Sequence, residues 1–271
     1  MHFVTYLFVP GDRPDRFSKA VATGADVVVL DLEDAVTPDR KGVARSRVAD
    51  ALATDKFRAC VRINGADTQW FEEDLRLLAL PGVMAVMLPK AETAQAFGAI
   101  ADAAGASNVA VIPIVETARG LSRVESLANG AGVHRLAFGS VDFQLDLGIE
   151  GDEQELLFAR SQIVLASRLA GVVAPIDGVT LAVNDAAQAH RDALRARRLG
   201  FGGKLCIHPA QIAPVREAFA PDAQAIAWAN GVLAAAAQST AGALTYEGRL
   251  IDKPVIDRAR TLIDRAYAAK P

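Results

Sequence analysis

Eight short apolar runs, each followed by a stretch with helical spacing, constrain this chain more than any other feature. The runs cover residues 6–9, 27–32, 60–63, 83–88, 109–115, 135–138, 176–179 and 204–207. They are rich in β-branched residues and continuous rather than alternating, as parallel strands covered on both faces must be. Amphipathic stretches fill the gaps, among them 15–23, 40–53, 68–79, 92–104 and 153–170. Asn184 is placed to cap a further helix, which Gly200 ends. Strict βα alternation requires a parallel sheet with right-handed crossovers. Eight units in about 220 residues predict an α/β fold of the (β/α)8 or TIM-barrel type. The competing doubly wound sheet lacks a GxGxxG turn after its first strand.

The last fifty or so residues break this rhythm. Residues 222–241 are Ala-rich with little charge, 242–248 are bounded by glycines, and an amphipathic stretch over 254–269 opens with Pro254. Such an Ala-rich helix has too little polar surface to lie alone in water. The expectation is a barrel over 1–220 and a C-terminal helical extension over 221–271, packed on the barrel or on a neighbouring subunit. At 51% hydrophobic and 23% charged the chain reads as globular. Twenty-nine basic against 32 acidic residues leave a net charge of −3, which gives no electrostatic reason to expect nucleic acid or an anionic membrane. No apolar run reaches the ~18–20 residues of a bilayer span, and residues 1–10 lack the layout of an export signal. These features predict a cytoplasmic protein, with Cys60 and Cys206 as buried, reduced thiols in strand runs.

In a barrel of this kind functional residues gather where strands end. The polar residues at those ends are Asp31, Glu33 and Asp34, then Arg62 and Asn64, Lys90, Glu116, Asp142 and His208. Charge beside a buried strand is costly unless paired or liganded. Glu116 and Asp142 end adjacent strands, so their carboxylates can converge, and two hard oxygen donors with room for water suit Mg²⁺. No His/Cys set with zinc spacing competes. Pairing with Arg119 or Arg62 is the alternative, and spacing leaves both open. Arg62 can take a carboxylate or a developing enolate oxygen, or serve as structural partner to Asp31, Glu33 or Asp34. Glu33 and Asp34 can hold metal-bound waters, with Asp31 as a counter-charge. Lys90 as a Schiff-base amine would need a depressed pKa, which the neighbouring acids oppose. His208 reads as a packing or hydrogen-bonding residue. The first loop carries Arg13, Arg16, Phe17 and Lys19; it either holds a phosphorylated ligand with Phe17 against a base, or is a solvated basic helix start. A metal, an arginine and no nucleophile triad favour chemistry through an oxyanion beside a carbonyl.

Eight motifs occur in order: LFVPGDRPDRFSKA at 7–20, ADVVVLDLEDAV at 25–36 with Lys41, Ala44 and Arg45 beyond it, VRIN at 61–64 and LPK at 88–90. PIVETARG follows at 113–120, then FGSVDF at 138–143, LGFGGKLCIHPAQI at 199–212 and YEGRLIDKP at 246–254. Together they resemble the citrate lyase β-subunit-like branch of the citrate lyase/malyl-CoA lyase (HpcH/HpaI aldolase) superfamily. The resemblance implies a Mg²⁺-dependent carbon–carbon lyase. Its substrate would be a 3-hydroxyacyl-CoA thioester such as citryl-, malyl- or citramalyl-CoA, cleaved into acetyl-CoA and a 2-oxo acid or formed from them. It implies Glu116 and Asp142 as metal ligands, Arg62 as substrate-binding arginine, and Glu33 and Asp34 as acids behind the ligands. It places coenzyme A at Phe17 and Lys19, with Arg16. Asp252, in the motif at 250–254, would be the acid/base at the acetyl carbon, entering the site of the next subunit of a homo-oligomer, commonly a trimer. Spacing alone allows Asp252 equally to cap the Pro254 helix. Two other readings stand beside this one: a CoA-free 2-oxo-acid aldolase, and a subunit acting only on an acyl-carrier-protein partner.

Overall fold

The computed structural model describes residues 3–268 apart from 106, 108 and 239–243. All eight apolar runs are strands: β1 (Thr5–Pro10), β2 (Val27–Asp31), β3 (Ala59–Arg62), β4 (Val83–Leu88), β5 (Ala110–Val115), β6 (Ala137–Phe138), β7 (Ile176–Asp177) and β8 (Gly203–Cys206). They pair in parallel in chain order, and β8 pairs with β1, so the sheet closes into a barrel. Closure removes the doubly wound alternative. The first six intervening helices are α1 (Phe17–Ala22), α2 (Lys41–Leu52), α3 (Phe71–Leu75), α4 (Gln95–Ala104), α5 (Ala118–Ser122) and α6 (Val124–Ala128). They are followed by α7 (Ser140–Leu147), α8 (Leu157–Leu169), α9 (Ala186–Leu199) and α10 (Ile212–Phe219). The helix after β7 is capped not by Asn184 but by Asp185, whose carboxylate accepts the Gln188 N–H at 2.8 Å. Gly200 ends it at φ 102°, a conformation that favours glycine.

Strand periodicity decides what faces the barrel axis. The interior is packed by Tyr6, Val27, Val29, Cys60, Ala85, Met87, Ile112, Ile114, Ala137, Ile176 and Leu205. Counting two residues onward along the same strands puts Asp31, Arg62, Glu116, Gly139 and Gly178 at the C-terminal mouth. Three of these are charged and two have no side chain, so the apolar layers end in a polar floor with open space above it. Cys60 and Cys206 are free and buried, and burial pushes the Cys206 thiol up to about 12. Among the described residues no helix is long and apolar enough to cross a membrane.

The chain divides into two units, Phe3–Arg216 and the segment from Glu217 onward, a division that falls inside α10. The second unit contains α11 (Ala223–Gln238), an antiparallel hairpin of β9 (Leu244–Tyr246) and β10 (Arg249–Ile251), and α12 (Lys253–Ala268). Its small core is Ala229, Val232, Ile251 and Ala259. A Cβ at Gly231 would overlap the Tyr246 ring, so glycine lets the hairpin approach α11. Residues 239–241 of the expected helical span, residues 242 and 243 of the glycine-bounded segment and residue 269 of the last span lie outside the described residues.

Candidate active site

The register of the barrel builds the site. Asp31 and Arg62 are direct partners across β2 and β3, and both face the axis. The Arg62 fork closes on the Asp31 carboxylate with two hydrogen bonds of 2.7 Å. Its Nη1 lies 2.9 Å from Glu33 and 3.7 Å from Asp34, and the guanidinium stacks over Phe8 at 4.7 Å. Burial opposes its charge, but Asp31, Glu33 and Asp34 outweigh burial and hold the guanidinium protonated. The structural partnership with Asp31 is therefore real, and Arg62 can act on a ligand only from this clamped position.

Glu116 follows β5 and is buried. Its Oε1 accepts the Lys90 N–H at 2.6 Å, an N–H presented by a left-handed turn with φ 46° at Lys90. The Lys90 side chain itself is exposed. Asp142 sits in the first turn of α7, just beyond β6 rather than on it. Among the described residues, neither carboxylate forms an ion pair. Arg119, the candidate partner, instead reaches Glu92 at 3.4 Å. The two carboxylates share one cavity of about 850 Å³ with Asp31, Asp34 and Arg62.

The electrostatics of this cluster are those of surplus negative charge. Burial, then the Glu33 and Asp142 carboxylates, push Glu116 up to about 8. Burial raises Glu33 to about 7, with Asp34 and Asp31 adding and Arg62 opposing. Asp142 is raised by burial and by Asp34. Glu33 Oε2 is buried, and among the described residues its contact is the Arg62 ion pair at 2.9 Å, with no hydrogen bond to add to it. A divalent cation between Glu116 and Asp142 would relieve all of this, so the donor set fits one. Among the described residues no three His, Cys, Asp or Glu side chains group closely enough to hold an ion alone. An ion on two carboxylates would draw its other ligands from water and substrate, which is how Mg²⁺ prefers to bind.

The other expected residues divide. Arg16 and Lys19 line the same cavity and are exposed. Phe17 is not beside them: it is buried, stacked on Phe57 with ring centroids 6.3 Å apart, because the first turn of α1 points it away from solvent. That overturns the expectation of Phe17 as a free face for a base. His208 lines the cavity while its Nδ1 accepts the Ala210 N–H at 3.3 Å. Asn64 is tied to Asp74 by two hydrogen bonds, and Asp74 in turn to Arg45. In its own unit Asp252 caps α12, its Oδ1 accepting the Val255 N–H at 3.2 Å.

Sequence reasoning missed three contributors. Gly139 faces the axis beside Glu116, where a Cβ would overlap Glu116 Oε2 and lie 2.6 Å from its Cβ. The Lys90 contribution comes from its backbone. Arg160, fully buried, joins Asp152 and Asp177 at 2.9 Å each and lies 5.5 Å from the Phe138 ring, bracing the β6 end. Only the glycine had a signal in the sequence, as the small residue at an inward strand position.

A family model described as HpcH/HpaI aldolase/citrate lyase matches residues 5–209, which is the barrel. The chain belongs to the HpcH/HpaI aldolase/citrate lyase family. A citrate lyase subunit beta-like protein of Deinococcus radiodurans is 38% identical to it over 95% of each chain. The human mitochondrial citramalyl-CoA lyase is 32% identical over 97% of this chain and 85% of that protein. Within the family, the structure of CitE from Mycobacterium tuberculosis superposes with a TM-score of 0.87 at 36% identity, covering 98% of both chains. That protein was crystallised with magnesium, acetoacetate and coenzyme A.

Proposed function

We propose that this protein is a Mg²⁺-dependent carbon–carbon lyase that cleaves, or in reverse forms, a 3-hydroxyacyl-CoA thioester, giving acetyl-CoA and a 2-oxo acid. The observation that carries the reading is the convergence of Glu116 and Asp142 at the mouth of a closed barrel where, among the described residues, no cationic side chain pairs with either. Citramalyl-CoA lyase among the relatives and the CitE complex with magnesium and coenzyme A support it.

Glu116 and Asp142 would hold the ion, which when bound supplies Lewis-acid stabilisation to the carboxylate and 2-oxygen of the substrate. Asp34, exposed at the mouth, receives the substrate hydroxyl proton through water as the carbon–carbon bond breaks. The bond's electron pair passes to the thioester as an enolate. Arg62, locked by Asp31, faces the developing negative charge, and being locked it needs no reorganisation to do so. Glu33 orders water beside it. Asp252 of a neighbouring subunit then gives its proton to the enolate carbon, in a homo-oligomer for which a trimer is favoured. Arg16 and Lys19 at the cavity rim take the coenzyme A phosphates. The cavity lining includes the apolar side chains of Ile114, Phe138, Val179, Leu205 and Ile207. It suits a hydrogen or methyl on the oxo-acid carbon better than a second carboxylate.

Glu116→Ala is expected to lose Mg²⁺ binding, read by calorimetry, together with turnover. Near-normal activity in that variant would sink the assignment.

A further inference from the structure

Lys41 is an α2 residue whose side chain is buried although it carries a charge. Its Nζ donates to two consecutive backbone carbonyls, Leu32 O at 2.7 Å and Glu33 O at 2.8 Å. The Trp70 ring covers the ammonium, with its centroid 5.1 Å away. Acids surround the amine, yet among the described residues it forms no ion pair with any of them; its donors go to the main chain. On the other side of the same loop, Asp31 accepts the Glu33 N–H at 2.9 Å and the Ala35 N–H at 3.1 Å. The turn over 32–35 is thus gripped from both sides, its carbonyls by an ammonium and its N–H groups by a carboxylate. This is the turn that carries Glu33 and Asp34 into the mouth.

We propose that Lys41 is a positioning residue of the active site: it fixes the backbone from which Glu33 and Asp34 reach the ion's water shell and the substrate. The inference rests on the proposed lyase reading. It assigns to Lys41 no contact with substrate, only control of where two acids stand. Outer groups that orient a metal site typically change affinity or activity by about 10–100-fold when removed.

The test uses the full chain. Lys41→Met should fold, as read by circular dichroism, while its Mg²⁺ dissociation constant rises and its kcat falls by about 10–100-fold, with KM for the thioester little changed. Lys41→Arg should recover part of both, since a guanidinium can still donate to the two carbonyls. Arg135→Met is the control. Arg135 is buried at the opposite end of the barrel against Tyr6 and the Phe3 carbonyl, so its loss should lower Tm and leave Mg²⁺ affinity as in the wild type. A Lys41→Met protein with lowered Tm but wild-type Mg²⁺ affinity and kcat would make Lys41 merely structural and overturn the proposal. If Lys41→Met does not fold, Lys41→Arg and Trp70→Leu decide. Each should weaken Mg²⁺ binding by a smaller factor, and wild-type affinity in both overturns the proposal. Failure of the wild type to bind Mg²⁺ would instead bring down the lyase reading and this inference with it.

Discussion

Glu116 carries its charge at a cost. In the fold it keeps its proton to about pH 8, whereas an ordinary glutamate releases it near 4.5. Between those values the folded chain binds more protons than the unfolded one, so stability must fall as pH rises. Chelator-treated protein is therefore expected to lose on the order of a few kcal/mol between about pH 5 and pH 8, and Mg²⁺ should restore most of it at the upper end. Thermal melts in chelator and in Mg²⁺ at both pH values check this. A Tm in chelator that stays flat or climbs across that window would contradict the picture of an uncompensated acid. At this scale the sequence was informative about which residues reach the mouth, because strand periodicity carries Asp31, Arg62 and Glu116 inward. It could not say that Arg62 is already spoken for, because the Asp31 partnership depends on the register between β2 and β3. Nor could it say that Phe17 turns inward onto Phe57, forty residues away.

Elements place what residues supply. β6 is two residues long, and α7 begins almost at once, so Asp142 arrives on a helical turn with Gly139 as the residue between strand and helix. Glu116 occupies the space that a side chain at 139 would need. Gly139→Ala should leave the barrel folded, at an overpacking cost of about 1–3 kcal/mol, while displacing Glu116 and weakening Mg²⁺ binding about tenfold or more. Calorimetric titration measures it, and unchanged affinity would mean that Glu116 does not work from its present position. The eight strands were legible because each is a continuous apolar run between turn signals. Helix starts were less so: adjacent Asn184 and Asp185 are both good caps, and only backbone geometry chooses Asp185. The grip of Lys41 on the turn after β2 was invisible for a similar reason, since a lysine that opens a helix ordinarily points to solvent.

At the scale of the molecule, the βα rhythm and its closure into a barrel followed from chain order, while the segment from Glu217 onward had no rhythm to read. That segment forms a helix–hairpin–helix unit whose α12 is capped by Asp252. The proposed chemistry is cleavage of a 3-hydroxyacyl thioester by an ion on Glu116 and Asp142 together with a clamped Arg62. Turnover of malyl-, citramalyl- and citryl-CoA, each with Mg²⁺ and again with chelator, tests it directly. Cleavage of malyl- or citramalyl-CoA ahead of citryl-CoA is expected, with release of acetyl-CoA, and loss of all of it in chelator. Turnover that persists in chelator, or silence across the panel from a folded protein that binds Mg²⁺, would contradict it.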